Sequence, residues 1–502
     1  MKLTDVMAGS GAEQVSGGRG VIEIKGVSHD SREVKPGDLF VALTGARSDG
    51  AQFVAEAVKK GAVAIVAEKA VTTDIPVLTL PNTRKGLALI ASNFYGKPTQ
   101  ELQMLAVTGT NGKTTVTYLL EAICSAGGAA VGRIGTIETR YAGKSLPATH
   151  TTPDALALHK LFRDMVDAGS DTVVMEVSSH AIVQERIHGL TFRAAGFTNL
   201  SRDHLDYHKD MEEYFQAKRR LFSENLASGG VAVVNGEDTY ASRLYNEVRN
   251  AKRMAWKFSR LGNGEISAAG VEYSLQGIKA TLKTPAGDIA IKSTLTGPHN
   301  LENILAATGM ALGAGFSRQD VKEGIERVKS VPGRMDRIEK NGLLAVVDYA
   351  HTEDALKRSL EASRTLAKGR LIVVFGCGGD RDKGKRPTMG QVAAEGSDLA
   401  ILTSDNPRTE SPDEIIAEIT PGLEKGGFKR ISVGKAKLGE GGYLVEADRQ
   451  AAITLAASLA KPGDLILVAG KGHETYQQVG ANRLEFDDRA VAEKALAEAV
   501  PA

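Results

Sequence analysis

Two cysteines and a single tryptophan are all that 502 residues contain of either type, and aromatic residues amount to only 5%. Cys124 and Cys377 are too few and too far apart for a disulfide framework or a cysteine-based zinc site, and they read as reduced thiols in a reducing compartment. No long apolar run crosses Met1 to Gly20, which glycines interrupt, so this stretch reads as neither a secretory signal nor a membrane span. A cytosolic protein is expected. No charge excess is present either: 62 Lys and Arg stand against 61 Asp and Glu, which removes the bulk electrostatic reason to expect nucleic acid or an acidic membrane as partner. Repeats of solenoid period and low-complexity tracts are absent. What remains is the composition of an ordinary globular enzyme, 25% charged and 42% hydrophobic. The length predicts about three domains.

The punctuation of the chain divides it. A Gly-rich lead is followed by Ser28-His-Asp-Ser-Arg32 and a strand from Asp38 to Leu43, in a small α/β unit that runs to Leu80. Tyr95-Gly-Lys-Pro98 and Val331-Pro-Gly333 read as joints, because proline and glycine interrupt helices. Domains are therefore expected at 1–98, 99–332 and 333–502. In the middle segment, Leu102 to Val107, Thr172 to Val177, Ala194 to Thr198 and Val231 to Val234 are short apolar strands separated by longer, partly helical stretches. That alternation predicts a parallel sheet with crossovers. The rhythm returns at Leu343 to Val347, Leu371 to Phe375, Leu399 to Thr403 and Leu465 to Val468, so the fold class is α/β.

Val107-Thr-Gly-Thr-Asn-Gly-Lys-Thr-Thr115 joins the first of these strands to a segment with Val116, Leu119, Leu120 and Ile123 at helical spacing. It has the parts of a phosphate loop, although the common G-x-x-x-x-G-K-[ST] spacing would need glycine where Val107 stands. Gly109 and Gly112 permit a tight turn that aims backbone N–H groups at an anion, Lys113 adds a positive charge, and Thr114 offers a hydroxyl to a magnesium ion. ATP or GTP binding is the favoured reading.

Such a site needs a carboxylate for its metal. Glu176, at the end of Thr172-Val-Val-Met-Glu176, is a candidate; on residues alone such a Glu is more often a solvated rim residue. Asn199-Leu-Ser-Arg-Asp-His-Leu-Asp-Tyr-His208 gathers two Asp and two His after another strand. With no cysteine and no helical H-E-x-x-H, zinc is disfavoured, and phosphate-bound metals prefer oxygen; an exposed polar loop is the alternative. Lys218, in Tyr214-Phe-Gln-Ala-Lys218, reads as a surface lysine on a helix.

Taken together, Gly109-Thr-Asn-Gly-Lys-Thr114, Glu176-Val-Ser-Ser-His180, Asp203-His-Leu-Asp-Tyr-His208, Ala217-Lys218, His299-Asn-Leu-Glu-Asn303 and Asp348-Tyr-Ala-His351 resemble the Mur ligase family, the ATP-dependent amide-forming enzymes of peptidoglycan synthesis. Asp405-Asn-Pro-Arg408 and Gly470-Lys-Gly-His-Glu474 are similar to the branch that adds the third residue of the stem peptide. The resemblance spans about Ser31 to Glu474. One departure is Glu353, which stands where the family commonly carries proline.

The resemblance implies a three-domain architecture with a central phosphate-loop sheet and a Rossmann-like C-terminal domain. It implies that a substrate carboxylate attacks the γ-phosphate of ATP to give an acyl phosphate, from which an amine displaces phosphate. ATP would be held by Gly109, Thr110, Asn111, Gly112, Lys113, Thr114 and Thr115, with Asn300, Asn303, Arg334 and Asp348 contacting the rest of the nucleotide. Lys113, Glu176, His204 and Lys218 would serve catalysis, with Thr114 and Glu176 on one magnesium, His204 on a second, and Lys218 carbamylated so that it too can ligate metal. The acyl substrate is expected to be UDP-N-acetylmuramoyl-L-alanyl-D-glutamate, bound by Ser31, Thr151, Thr152, Ser178, Gln184 and Arg186. The amine is expected to be meso-diaminopimelate, held by Arg381, Asp405, Asn406, Pro407, Arg408, Gly470 and Glu474, because arginine grips carboxylates with paired N–H bonds. A monomer is expected. The rivals are a lysine-adding ligase of the same family, a folylpolyglutamate-type synthetase, and a nucleotide-dependent regulatory protein without turnover.

Overall fold

The strand Gln103–Thr108 is buried over Met104 to Thr108, which is why it reads as a continuous apolar run rather than an alternating one. In the computed structural model, which describes residues 1–16, 21–45 and 49–499, this strand is an interior member of an eleven-stranded sheet. Residues 17–20 of the Gly-rich lead lie outside the described residues. Strand Thr172–Glu176 pairs in parallel on one side of it and Phe192–Phe197 on the other, with Glu176 opposite Val107 and Phe197 opposite Thr108. The carboxyl ends of three strands therefore meet at one edge, where ligands bind in open α/β sheets.

The sheet is parallel only in its middle. At one end Ile266–Ser274, Gly277–Lys283 and Ile289–Ser293 form an antiparallel meander, and at the other Val131–Ile134 pairs antiparallel with Glu138–Tyr141, which pairs with Lys144–Pro147. These additions alternate buried and exposed residues, or are exposed outright, so the apolar-run signal that marks the inner strands is missing from them. Helices cover both faces. Lys113–Ala126 and Pro298–Ala314 pack on one, with Leu119, Leu120, Ile304 and Met310 in the core. Ala155–Asp167 and Met211–Glu224 pack on the other, with Phe162, Phe215 and Phe222.

Two smaller sheets flank this one. The first has five strands and includes Asp38–Val41 and Ala64–Ala67. The last has six, in which Leu465–Ala469 lies between Leu343–Asp348 and Leu371–Phe375, followed by Leu399–Leu402 and Gly442–Val445. Asp336–Lys340 adds an antiparallel edge strand. The last of the parallel strands in sequence thus inserts between the first two, an order different from the common dinucleotide-binding one. Among the described residues no helix is long and apolar enough to cross a membrane. Cys124 and Cys377 are both buried and free, and burial pushes each thiol up to about 12.

Candidate active site

The short loop closes because its two glycines sit where no side chain fits. Gly109 has φ +142° and a Cβ there would lie 1.9 Å from Thr198 Oγ1; Gly112 has φ +88° and a Cβ would lie 2.3 Å from Asn303 Oδ1. Asn199 braces the turn, its carbonyl accepting from Thr110 N–H and its side-chain oxygen from Asn111 N–H, both at 2.9 Å. Gly112 is the N-cap of Lys113–Ala126 and offers no side-chain cap, so the first-turn amides are available to an anion.

Two ammonium groups converge on one carbonyl of this loop. Lys113 Nζ donates to Gly109 O at 2.9 Å and to Thr110 O at 2.8 Å, and Lys218 Nζ donates to the same Gly109 O at 2.9 Å. Neither lysine forms an ion pair among the described residues. Lys218 is only 1% exposed, over the ring of Tyr214. Burial, with Lys113 beside it, holds its amine well below the usual lysine range. The surface-lysine reading of this residue is thereby replaced by a buried one. Burial lowers Lys113 too, against the opposing pull of Glu176 and Asp203.

Glu176 is fully buried. Its carboxylate accepts from Thr136 N–H at 3.0 Å and from Thr136 Oγ1 at 2.9 Å, which leaves Thr151 Oγ1 to donate to Thr136 Oγ1 at 3.0 Å. Thr152 Oγ1 donates to the backbone carbonyl of Glu176 and accepts from Ser178 N–H. Arg186 reaches back from the following turn to the carbonyl of Thr152, while its guanidinium also holds Gln184 Oε1. Ser178 caps the helix Ser179–Val183. Five of the six residues expected for the acyl substrate therefore form one network with the carboxylate. Ser31 stands apart, its hydroxyl donating to Glu56 at 2.7 Å. Its turn nevertheless abuts the same region, since His29 lies 3.5 Å from Asp154, the N-cap of Ala155–Asp167.

The C-terminal sheet unit is docked against the loop. Arg334 donates to Thr114 Oγ1 at 3.1 Å and stacks on Tyr349, and Asn111 Nδ2 donates to Asp354 at 2.9 Å. Arg358 pairs with Glu302 at 2.9 Å. Between them lies a cavity lined by Asn111, Thr115, Asn300, Asn303, Arg334 and Asp348. Asp348 is anchored by Met335 N–H and Ser359 Oγ. Glu353 is the first residue of the helix Glu353–Leu366, capped by Thr352. That is the position where proline is well tolerated, and an acidic residue there also suits the helix dipole, so the departure leaves the local backbone helical.

A second cavity, of about 180 Å³, joins Asp203 and His204 to Arg381, Asn406, Arg408 and Glu474. His204 has φ +55° and lies 3.4 Å from Asp203, and burial depresses its imidazole. Asp203 stays ionised despite burial, facing His204, His351 and Lys385. Arg408, also in left-handed backbone at φ +52°, donates to Gly379 O at 2.7 Å. Arg381 donates to Asp380 O, and neither arginine has a carboxylate partner among the described residues. Burial and Arg381 both lower Arg408. Glu474 is held by Asn406 Nδ2 at 2.8 Å and by fully buried Lys471 at 3.0 Å. Gly470 lets Asp405 approach, since a Cβ would lie 2.4 Å from its carboxylate. Pro407 is buried and is not part of the cavity lining.

Sequence reasoning passed over Thr136, Lys385, Lys471 and Arg358. Lys385 sits in a polar run, Asp382-Lys-Gly-Lys-Arg386, that reads as a solvated turn, yet its ammonium donates to His351 O at 2.9 Å. Among the described residues no three His, Cys, Asp or Glu side chains are gathered as a metal site. The oxygen donors Thr114 and Glu176 suit a hard divalent cation. A lysine ammonium at position 218 would repel one, and only its carbamate would suit it.

This fold and site define an ATP-dependent, amide-forming ligase. Residues 107–311 match the description "Mur ligase middle domain", 333–472 "Mur ligase, glutamate ligase domain", and 23–98 "Mur ligase family, catalytic domain". The chain belongs to the Mur ligase family. Among its relatives, a UDP-N-acetylmuramoyl-L-alanyl-D-glutamate--2,6-diaminopimelate ligase of Geobacter metallireducens is 44% identical over 484 residues, covering 94% of each chain. The enzyme of the same name from Gloeobacter violaceus is 45% identical over 95% of this chain and 94% of its own. A solved structure of a ligase of that name has a TM-score of 0.67 at 35% identity, covering 94% of both chains. Mycobacterium tuberculosis folylpolyglutamate synthase shares the fold, with a TM-score of 0.63 at 18% identity over 77% of this chain and 92% of its own.

Proposed function

We propose that this chain joins meso-diaminopimelate to UDP-N-acetylmuramoyl-L-alanyl-D-glutamate in the cytoplasm, with domains at 1–98, 99–332 and 333–502. The observation that carries the acceptor choice is the pair of arginines, Arg381 and Arg408, which share one cavity with Glu474 and have no carboxylate partner among the described residues. A molecule with an ammonium and a carboxylate at its far end satisfies both charges. Lysine would leave a guanidinium unpaired.

The reaction runs from the phosphate loop toward that cavity. The loop amides and Lys113 hold the β- and γ-phosphates, and Asn300, Asn303, Arg334 and Asp348 hold the remainder of the nucleotide. Thr151, Thr152, Ser178, Gln184 and Arg186 hold the acyl substrate beside Glu176, with Ser31 near its uridine diphosphate end. The substrate carboxylate attacks the γ-phosphorus, the bond to ADP breaks, and an acyl phosphate forms. The amine then adds to the acyl carbon, and the tetrahedral intermediate expels phosphate. Both steps concentrate negative charge, which Lys113 and Arg334 are placed to offset. Thr114 and Glu176 would hold one magnesium, and His204 with carbamylated Lys218 a second; the ions supply neutralisation of phosphate oxygens. Carbamylation is supported by the burial of Lys218: a neutral amine can add to carbon dioxide, losing a proton to water and becoming an anion.

Phosphate release in the presence of ATP, the UDP-dipeptide and a panel of amino acids tests this. Release should require all three, with diaminopimelate preferred over lysine. Release on glutamate with a folate acceptor would favour the folylpolyglutamate rival, and nucleotide binding without release the regulatory one.

A further inference from the structure

The run Asp382-Lys-Gly-Lys-Arg386 carries four charged side chains, and three of them are met by opposite charge. Asp382 pairs with Arg202 of the central unit at 3.0 Å, Lys383 with Glu410 at 3.0 Å, and fully buried Arg386 with Glu410 at 2.9 Å and Glu418 at 2.8 Å. Lys385 is the exception. It is only 8% exposed, forms no ion pair among the described residues, and lines the cavity that joins Asp203 and His204 to Arg408 and Glu474. Its ammonium donates to His351 O at 2.9 Å.

That bond does not account for the charge. A neutral donor could satisfy the carbonyl without carrying a cation into a buried place, which is costly unless an anion meets it. Asp203 faces the ammonium from beyond ion-pair distance, and that carboxylate has His204 at 3.4 Å and His351 at 4.0 Å. Two of the three N–H groups of Lys385 therefore remain for an acceptor that the chain does not supply. The position depends on both units. The Asp382–Arg202 pair draws the preceding turn to the central unit, and Gly384 makes room for it, since a Cβ there would lie 2.5 Å from Arg202 Nη2. Lys385 opens the helix Lys385–Gly396 in the unit of Arg408 and Glu474, while its ammonium reaches the backbone of His351, whose ring faces Asp203 of the central unit.

We propose that Lys385 is a further catalytic residue, acting in the amide-forming half of the reaction, where its free N–H groups hold the negative oxygens of the acyl phosphate as the amine adds. In that step the amine nitrogen bonds to the acyl carbon, the carbon–oxygen bond to phosphate breaks with its electron pair leaving on phosphate, and the surplus proton on nitrogen passes to water. Lys385 gives up no proton; it offsets the charge that grows on the acyl oxygen and the departing phosphate. The inference rests on the acyl-phosphate reading given above.

Single-turnover quenching separates the two halves. Enzyme in excess over UDP-dipeptide, with saturating ATP and magnesium, is quenched into borohydride, which reduces acyl phosphate to an alcohol; amide is counted in a parallel series with diaminopimelate. Wild type should yield the alcohol when the amine is left out, and its failure to do so would overturn the acyl-phosphate reading and this assignment with it. In Lys385→Met the alcohol should form within about twofold of the wild-type rate while amide formation slows by about 100- to 1,000-fold, as on losing a donor to an oxyanion. The KM for diaminopimelate and its preference over lysine should hold, because Arg381, Arg408 and Glu474 remain. Lys385→Arg, which keeps the charge, should recover about tenfold or more of the lost rate. With the alcohol seen in wild type, an alcohol rate that falls as far as the amide rate, amide formation unchanged in Lys385→Met, or Lys385→Arg no better than Lys385→Met would each overturn the role of Lys385 alone.

Discussion

The phosphate loop and the cavity proposed for the amino acid each bring two cations together with no ion pair to either among the described residues, but they use different cations. Lys113 and Lys218 share the carbonyl of Gly109, and burial depresses both amines. Arg381 and Arg408 face the acceptor cavity, and although burial lowers Arg408 as well, a guanidinium keeps its charge at any working pH. One region is therefore built from groups whose charge can change, which the proposed carbamylation of Lys218 would carry as far as an anion. The other presents fixed charge to its cavity. Under the proposed function, the same crowding of like charge would serve a reactive end in one place and a selective end in the other.

Lys113→Ala breaks the first half of this comparison most severely. Loss of the cation at the transferring phosphate should lower kcat by about 100- to 1,000-fold or more, with circular dichroism unchanged. Product at near wild-type rate with normal ATP dependence would remove the lysine from the chemistry. Lys218→Ala should be nearly inactive as well, but chloride or small carboxylates should partly restore it by replacing the missing anion. Equal rates in carbon-dioxide-depleted and bicarbonate-equilibrated wild-type enzyme would argue that Lys218 works as an amine.

On the fixed-charge side, Arg408→Ala should lower kcat/KM for diaminopimelate by about 10- to 150-fold, the worth of a charged hydrogen bond. Lysine should lose far less, although it need not become a good substrate, since deleting a guanidinium does not build an ammonium pocket. An unchanged ratio between the two amino acids would move selectivity to Arg381.

A last effect, on stability rather than turnover, isolates burial from function. His159 lies in the core with Nδ1 unpartnered, and burial alone pushes its imidazole down to about 4 from 6.5. Its folded value lies below its unfolded one, so the unfolded chain binds the extra proton. Stability from this group is full above about pH 6.5 and is lost as the pH falls toward 4, by about 3 kcal/mol at most. His159→Leu should flatten denaturant-measured stability across that window. An equally steep loss in the variant would place the acid sensitivity elsewhere, His204 and His473 coming first, both depressed to about 3, and then His180 and His299, both depressed to about 4.

The inner strands were legible because burial on both faces writes a continuous apolar run, and the phosphate loop because glycine, lysine and threonine must fall in order at a strand end. The antiparallel edges were not, since half-exposed strands such as Ile289–Ser293 carry no such run. The same limit governs the site. Residues that act through contacts far away in sequence, such as Thr136 on Glu176 or Lys385 on the carbonyl of His351, have no local signature. Lys218 was legible only by resemblance, because its burial depends on the sheet beneath its helix.

The most direct test of the account follows oxygen from the acyl substrate. UDP-dipeptide carrying 18O at both oxygens of the reacting carboxylate is turned over with ATP and diaminopimelate, and the released phosphate is analysed by mass. Attack on the γ-phosphate predicts one labelled oxygen in each phosphate, released in step with the amide product. Phosphate that forms without label, or at the same rate with the amine left out, would contradict it.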